Sequence, residues 1–414
     1  MTAIVGILNK HAVAIAADSA LTVINNGSRK IYNTSQKIFP LSEKNPVAIL
    51  TYDSAAFMGV PWEVIINLYR NERGNKTFGA MSEYCDDFLD FIRNSDYFSG
   101  EENQKWYFMR ELRYVYNKLT TAANARAEEE IAGLEEPAAE QRKAIVRKHL
   151  MDVLKELPEL CREDGKVEEL KGCSFKKFER ITEECWEEFL DDIDIDIDID
   201  EDLKDKWHQV MYEYITSEYL YKCTGLVFIG YGSKDLFPSY YSVYVSGIFN
   251  GKLRWCKDDH DEITVEGNTA SIRSFAQDDV IMTMVKGIEP DFFEHVLEEN
   301  ERELDSYREN VNDILEEAGV SKDIIAKVNG IDKNHYKEVY QIKLENFIDE
   351  NNIRGIMDAV ESFNVEDLTN MAGSLISITN LQRHFSSSEE SVGGPVEVAV
   401  ITKADGFKWV KHKS

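Results

Sequence analysis

Residues 2–19 have the sequence TAIVGILNKHAVAIAADS, and this stretch decides the fold. It contains two short apolar runs, Ala3–Leu8 and Ala12–Ala17, separated by three polar residues. Short apolar runs bounded by polar residues are typical of strands that are buried on both faces. Because the connection is so short, the pattern predicts an antiparallel hairpin.

The register of this hairpin predicts a group of reactive side chains at one end of the sheet. If the turn is centred on Lys10, paired residues lie equally far from Lys10, and Thr2 lies opposite Asp18. Directly opposed residues in antiparallel strands have Cβ atoms about 4.5–5.5 Å apart. The hairpin therefore predicts a hydroxyl and a carboxylate close together.

Thr2 becomes chemically distinctive once Met1 is removed. An aminopeptidase is expected to remove Met1 because Thr2 is small and Ala3 is not proline. Thr2 then has a nucleophilic oxygen and an α-amino group whose pKa of about 7.7–8.0 lets it accept a proton near pH 7. A nearby lysine would lower that pKa further by like-charge repulsion, and Asp18 would hold the lysine in place.

A series of short motifs begins with the first hairpin and continues along the chain in a characteristic order. The motifs are TAIVGIL (2–8), AVAIAADSALT (12–22), QKIFPL (36–41), VAILT (47–51), LVFIGYG (226–232), PSYYSVYVSG (238–247) and VGGPVEVAVITKADGF (392–407). Their order resembles that of proteasome β-subunits, in which an N-terminal threonine opens the first strand. The resemblance covers residues 2–70, 224–290 and 360–410, and it implies an N-terminal nucleophile (Ntn) hydrolase.

The fold implied by this resemblance is α+β, a four-layer αββα sandwich of antiparallel sheets. Its core would comprise residues 1–71 and 223–414, with extra helices at about 291–360. Residues 72–222 lie outside the resemblance. They are charged, poor in glycine and proline, and have apolar residues three or four apart, which predicts an acidic helical insertion.

Carried over position by position, the resemblance implies three catalytic residues. Thr2 is the nucleophile, Asp18 is the acidic partner, and Lys37 in the unit Lys-Ile-Phe is the catalytic lysine. Lys30, which begins the similar unit Lys-Ile-Tyr, is the alternative. Lys37 is preferred because a strand, a turn and a second strand follow it in the family order.

Two further positions are implied to bind substrate. Thr22 matches the threonine whose backbone pairs with the extended substrate. Asp53 falls where the family usually has the glycine whose N–H forms the oxyanion hole. An aspartate there departs from the pattern and places a carboxylate near a developing oxyanion.

The outer residues of the implied site are less defined. The family has an aspartate and a serine shortly before the last strands, where the candidates are Glu389, Glu390 and Ser391. It also has a serine near the start of its third helix, and Ser274 is a neighbour of that point. The sequence does not choose among these residues.

An acidic run at residues 191–202 has eight acidic residues among twelve and no basic one. An EF-hand loop needs Gly at its sixth position and Glu at its twelfth, and loops that start at Asp192 or Asp194 have neither. A solvated acidic loop between helices is therefore the preferred interpretation. The eight histidines show no metal-ligand spacing, so that neither a metal nor a cofactor is assigned.

Composition restricts the partners and the compartment. The formal net charge of −29 disfavours nucleic acid and anionic membranes as partners. No apolar run of about 18 residues and no signal peptide occurs, which predicts a cytoplasmic protein. The six cysteines are dispersed without a CxxC pair, as expected for reduced thiols.

Together these observations predict a threonine-type peptidase or amidohydrolase with a peptide or protein substrate. The resemblance also implies a homo-oligomer, and an ATPase or regulatory partner would dock through the insertion at 72–222. The main alternative is a non-catalytic scaffold or assembly protein that keeps the fold, which Asp53 favours. A non-peptide amidohydrolase of the same superfamily is a third hypothesis.

Overall fold

The computed structural model describes residues 2–25, 28–32, 35–134, 137–192, 200–385 and 393–412, and for residues 21–25, 28–32 and 192 it describes the backbone alone. The chain forms two compact units. The first comprises the described parts of Met1–Ile38, Asp235–Ser239 and Glu262–Ser414. The second comprises those of Phe39–Lys234 and Tyr240–Asp261.

The secondary structure is mixed, with strands at both ends of the chain and in its middle. The strands are β1 (Ala3–Asn9), β2 (Val13–Ala17), β3 (Leu21–Asn25), β4 (Ser28–Tyr32), β5 (Ile38–Pro40), β6 (Val47–Asp53), β7 (Ala56–Phe57), β8 (Val60–Pro61), β9 (Thr224–Gly230), β10 (Ser239–Phe249), β11 (Lys252–Glu262), β12 (Ala270–Ala276), β13 (Glu397–Thr402) and β14 (Gly406–Lys411). The helices are α1 (Trp62–Arg73), α2 (Met81–Arg93), α3 (Asp96–Ser99), α4 (Glu101–Ala132), α5 (Ala139–Glu163), α6 (Phe175–Asp192), α7 (Glu201–Thr216), α8 (Asp279–Lys286), α9 (Pro290–Glu317), α10 (Lys322–Asn329), α11 (Lys333–Ile348), α12 (Arg354–Ser362) and α13 (Val365–Phe385).

The first unit contains a sheet with the strand order β12-β1-β2-β13-β14. Neighbouring strands in it run antiparallel. Alternate residues of β1, such as Val5 and Ile7, pack with Leu368, Leu375 and Ile376 of α13 in one hydrophobic core. Every residue of β1 and β2 is buried, so both faces of this hairpin are covered, as the apolar runs predict.

The second unit contains a sheet with the order β11-β10-β9-β6-β5. Val47 and Ile49 of β6 and Phe228 of β9 share a hydrophobic core with helices of the second unit. Helices within residues 72–222 contribute to this core, with Phe88 and Leu112 among them. The helical region and the sheet are therefore stabilised by one set of apolar contacts. The predicted boundaries at 71/72 and 222/223 stay a prediction.

The predicted α+β class with antiparallel sheets is confirmed. The sequence gives no strand pattern for β12, because ASIRSFA carries Arg273 and two serines and lacks an apolar run. Such a strand suits its position at the edge of the sheet, where one side of the backbone has no partner strand. The central residues 193–199 of the acidic run lie outside the described residues.

Within the part of the chain that the structure describes, no helix is both long enough and apolar enough to cross a lipid bilayer.

Candidate active site

The register of the first hairpin differs from the prediction by one residue. Ile4 pairs with Ala17 and Leu8 with Val13. The Asp18 N–H donates to the Ala3 carbonyl at 3.1 Å, so that Ala3, not Thr2, lies opposite Asp18. The predicted opposition of Thr2 and Asp18 is wrong.

The cause of this shift is the turn, which has two central residues instead of one. The Asn9 N–H donates to the Ala12 carbonyl at 3.1 Å, and the Asn9 Oδ1 atom accepts from the N–H groups of His11 and Ala12 at 2.9 and 3.1 Å. The Asn9 Nδ2 atom donates to the carbonyls of Val360 and Phe363. An asparagine that bonds the backbone just ahead of it favours a tight turn, and these bonds set the register.

The Asp18 carboxylate nevertheless occupies the end of the hairpin and is fully buried. Its Oδ1 atom accepts from the Ala3 N–H at 2.8 Å and from the Lys37 ammonium at 2.6 Å. Its Oδ2 atom accepts from the N–H groups of Ala20 and Gly393 at 3.1 and 3.2 Å. A carboxylate with two donors on each oxygen is well compensated for its burial.

Lys37 reaches this carboxylate from the residue just before β5, and its side chain is 5% exposed. Removing one member of a buried ion pair leaves an uncompensated charge, which makes such pairs strongly interdependent. The structure therefore brings together Asp18 and Lys37, two of the predicted catalytic residues.

Thr2 is buried, and it directly precedes Ala3, whose N–H donates to the Asp18 carboxylate. The peptide group between Thr2 and Ala3 is bonded on both sides. Its N–H donates to Asp18 Oδ1, and its carbonyl accepts from the Gln277 N–H at 3.2 Å. The Ala3 nitrogen and the Lys37 Nζ atom lie 2.8 Å and 2.6 Å from the same oxygen, Asp18 Oδ1. The Lys37 ammonium is therefore close to the Ala3 nitrogen, which belongs to the peptide bond that follows Thr2.

Asp53 belongs to the second unit, where it ends β6 and pairs with Thr224. Its φ is 67°, a left-handed conformation that glycine adopts freely and that aspartate tolerates better than most residues. Desolvation by the surrounding protein raises the pKa of the Asp53 carboxyl above its ordinary value.

Other predicted positions are only partly described. Thr22 lies in β3 and pairs with Ile31 of β4, and Lys30 also lies in β4; the side chains of Thr22 and Lys30 are outside the described part of the structure. Glu389, Glu390 and Ser391 also lie outside the described residues. Ser274 lies in β12, where its hydroxyl donates to the Gln277 carbonyl at 2.9 Å.

Sequence reasoning missed the backbone groups that complete the site. The N–H groups of Ala20 and Gly393 donate to Asp18, and Ser19 Oγ donates to the Pro395 carbonyl at 2.7 Å. Backbone donors carry no sequence signature of their own. The Gly393-Gly394-Pro395 run before β13 was the available signal, because such a run marks an irregular backbone at the end of a strand.

Among the described residues, no group of three or more His, Cys, Asp or Glu side chains is arranged to hold a metal ion. No protein-family model matches the chain, and no curated protein matches it either.

Proposed function

We propose that this protein is a threonine-type N-terminal nucleophile hydrolase that cleaves amide bonds with Thr2 after removal of Met1. One observation carries the proposal: the buried Asp18 carboxylate binds both the Lys37 ammonium and the amide N–H that follows Thr2. Thr2, which would supply the hydroxyl and the α-amine, Asp18 and Lys37 come from three separate segments of the first unit.

In the proposed reaction, the Thr2 hydroxyl attacks the substrate carbonyl and its proton passes to the Thr2 α-amine. Lys37 favours the neutral amine by like-charge repulsion, and Asp18 holds Lys37. The proton then moves to the leaving amine as the amide C–N bond breaks, which leaves an ester on Thr2. Water hydrolyses the ester and releases the acid. Backbone N–H groups stabilise the oxyanion.

The finer fold assignment, a four-layer αββα sandwich, belongs to this proposal. It is supported by two antiparallel sheets that each pack helices within their own unit. It is also supported by the burial of both faces of the hairpin β1–β2. The proposed substrate is a peptide or protein in the cytoplasm. A homo-oligomer and a regulatory partner of the helices in 72–222 are parts of the same proposal.

The test uses an electrophile that captures both the hydroxyl and the amine of an N-terminal threonine. Wild-type protein and Thr2→Ser are expected to be labelled, whereas Thr2→Ala is not, and Thr283→Ala serves as a matched control on α8. Intact-mass measurement checks that Met1 is absent in all four proteins. In each of the three variants the residue after Met1 is serine, alanine or threonine. All are small, so removal of Met1 is expected in each variant as in wild type.

Two outcomes contradict the proposal. Labelling that survives Thr2→Ala rejects Thr2 as the nucleophile. Retention of Met1 in fully folded wild-type protein rejects the mechanism, because the free amine would belong to the wrong residue, and it favours the alternative of a non-catalytic scaffold or assembly protein.

A further inference from the structure

We propose that the turn at residues 276–278 positions the nucleophile, and that Ser274 acts on Thr2 through the Gln277 peptide group. This inference rests on the proposed function, and it assigns a new role to the segment between β12 and α8.

The argument starts from how an N-terminal residue is attached to a fold. After removal of Met1, Thr2 is joined to the protein through one peptide bond only, and chain ends fray unless they are tied down. Here that peptide group is bonded on both sides, by Asp18 at the N–H and by Gln277 at the carbonyl. These two bonds fix the peptide plane and therefore the position of the Thr2 Cα atom. The amine and the hydroxyl can then swing only about bonds that start at this fixed atom.

The Gln277 N–H is directed toward Thr2 by an unusual backbone conformation at the residue before it. Ala276 is the last residue of β12 and pairs with Ala3, yet its φ is 82°. Residues with a Cβ atom rarely adopt this left-handed conformation, and such residues concentrate at functional sites. At Ala276 the chain leaves the strand and turns the next N–H toward the Thr2 carbonyl.

Two contacts hold the turn in this conformation. The Ser274 hydroxyl donates to the Gln277 carbonyl at 2.9 Å, which closes the turn from the strand side. The Met282 N–H donates to the Asp278 carbonyl at 2.7 Å, which joins the turn to the first turn of α8. Of these two contacts, only the one from the Ser274 hydroxyl is made by a side chain. Substitution of Ser274 can therefore remove that hydrogen bond while every backbone donor and acceptor of the turn is kept.

A purely structural role for the turn predicts a different result from a positioning role. If the turn only connects β12 to α8, loss of the Ser274 hydroxyl lowers stability and leaves the reactivity of folded protein unchanged. If the turn positions Thr2, the same loss lowers reactivity, because a displacement of about 1 Å in a reacting group can slow a reaction by about 100-fold.

The experiment compares Ser274→Ala with Ser274→Thr, which keeps the hydroxyl, and with Ser271→Ala, the same change elsewhere on β12. The measurements are the rate constant for labelling of Thr2 by the electrophile and hydrogen–deuterium exchange of peptides that cover residues 272–280. Ser274→Ala is expected to slow labelling about tenfold, to affect kcat of any hydrolysis more than KM, and to speed exchange at Gln277. Ser274→Thr and Ser271→Ala are expected to stay within about twofold of wild type.

The results separate this inference from the proposed function. If wild type is labelled and Ser274→Ala is labelled at the same rate although exchange at Gln277 has risen, the positioning role is overturned and the function stands. If wild type itself is not labelled, both fail. Should Ser274→Ala not fold, Ala276→Val replaces it, since a β-branched residue disfavours positive φ. Equal labelling of wild type and Ala276→Val would likewise overturn the positioning role, whereas Ala276→Gly is expected to be labelled like wild type.

Discussion

Each unit contains a buried ionic group, and the two groups differ in the kind of atom that binds the charge. The first unit has Asp18 with Lys37, and the second has Arg254 with Glu111. Asp18 receives three of its four hydrogen bonds from backbone N–H groups. Arg254 instead donates to the Tyr107 hydroxyl and the Tyr214 carbonyl, both at 2.7 Å. The Tyr214 hydroxyl in turn donates to Glu111 at 2.6 Å.

This difference shows what each group depends on. The Asp18 carboxylate is held mainly by backbone N–H groups, so its position follows from the path of the main chain. The Arg254 group depends on aromatic side chains, with Tyr107 also bonded to Ser246 at 2.8 Å. This network connects helices α4 and α7 to strands β10 and β11, so its role is to stabilise the packing of the second unit. Only the first group adjoins a residue with nucleophilic chemistry at the start of the chain.

The largest expected effect comes from breaking the first group. Lys37→Met leaves the Asp18 carboxylate buried without its cation, and we expect the free energy of unfolding to fall by about 3 kcal/mol. Labelling of Thr2 is expected to be lost, because the α-amine also loses the neighbouring charge. Urea denaturation and the labelling assay measure the two effects. Lys37→Met protein that is labelled at the wild-type rate would exclude Lys37 from the mechanism.

Breaking the second group should reduce stability alone. A Cβ atom at Gly247 would lie 2.3 Å from the Tyr107 ring, so Gly247→Ala must displace the tyrosine that holds Arg254. We expect a loss of about 1–3 kcal/mol in urea denaturation, as for other overpacked cores. Gly172→Ala is the control, since a Cβ atom there has no neighbour within 4 Å. Equal stability of the two variants would show that the Tyr107–Arg254 contact contributes little.

The second unit should also respond to alkaline pH. Burial raises the pKa of the Cys223 and Cys256 thiols to about 12 and that of Cys161 to about 11. In the unfolded chain these thiols lose their protons near pH 8.5. Their contribution to stability is therefore complete below about pH 8.5 and is lost as the pH rises toward 12. Urea denaturation at several pH values tests this, and a shallower alkaline slope is expected in a Cys223→Ala/Cys256→Ala variant, which keeps Cys161; an unchanged slope would assign the effect to other groups.

A smaller effect is expected on the acid side. His208 stacks on Trp186 with ring centroids 4.3 Å apart, and burial lowers the pKa of its imidazole. The unfolded chain therefore binds the proton first, near pH 6.5, and stability falls as the pH drops below that value. His208→Phe keeps the stacking and should flatten this part of the profile, while His335→Phe at an exposed position should not. An unchanged slope in His208→Phe would assign the acid sensitivity to other groups.

Much of the fold follows from local patterns in the sequence. The apolar runs predict β1 and β2, and VAILTY predicts β6. Pro61 ahead of apolar residues at helical spacing predicts a helix, which is α1. Two strand-like runs on either side of Ala404-Asp405-Gly406 predict a strand pair, and the structure shows it as β13 and β14. Strand β12 could not be predicted in this way, because its polar residues are tolerated only through its position at the sheet edge.

The candidate site was also predictable from the sequence in part. Motif order selected Lys37, and the structure places its ammonium on Asp18. The predicted hairpin register was wrong by one residue, because the Asn9 side chain accepts from the N–H groups of His11 and Ala12 and also donates to the carbonyls of Val360 and Phe363. The bonds to Val360 and Phe363 cannot be read from residues 2–19.

The sequence by itself determined which segments become strands and helices, and which residue types are available near the start of the chain. Those properties depend on periodicity and on the chemistry of single side chains. Only the tertiary structure decided that Ala3 lies opposite Asp18, that Gly393 donates to the same carboxylate, and that Gln277 bonds the carbonyl of Thr2. The first of these contacts lies within one hairpin, and the other two join segments far apart in sequence, so their pairing depends on the path of the folded chain.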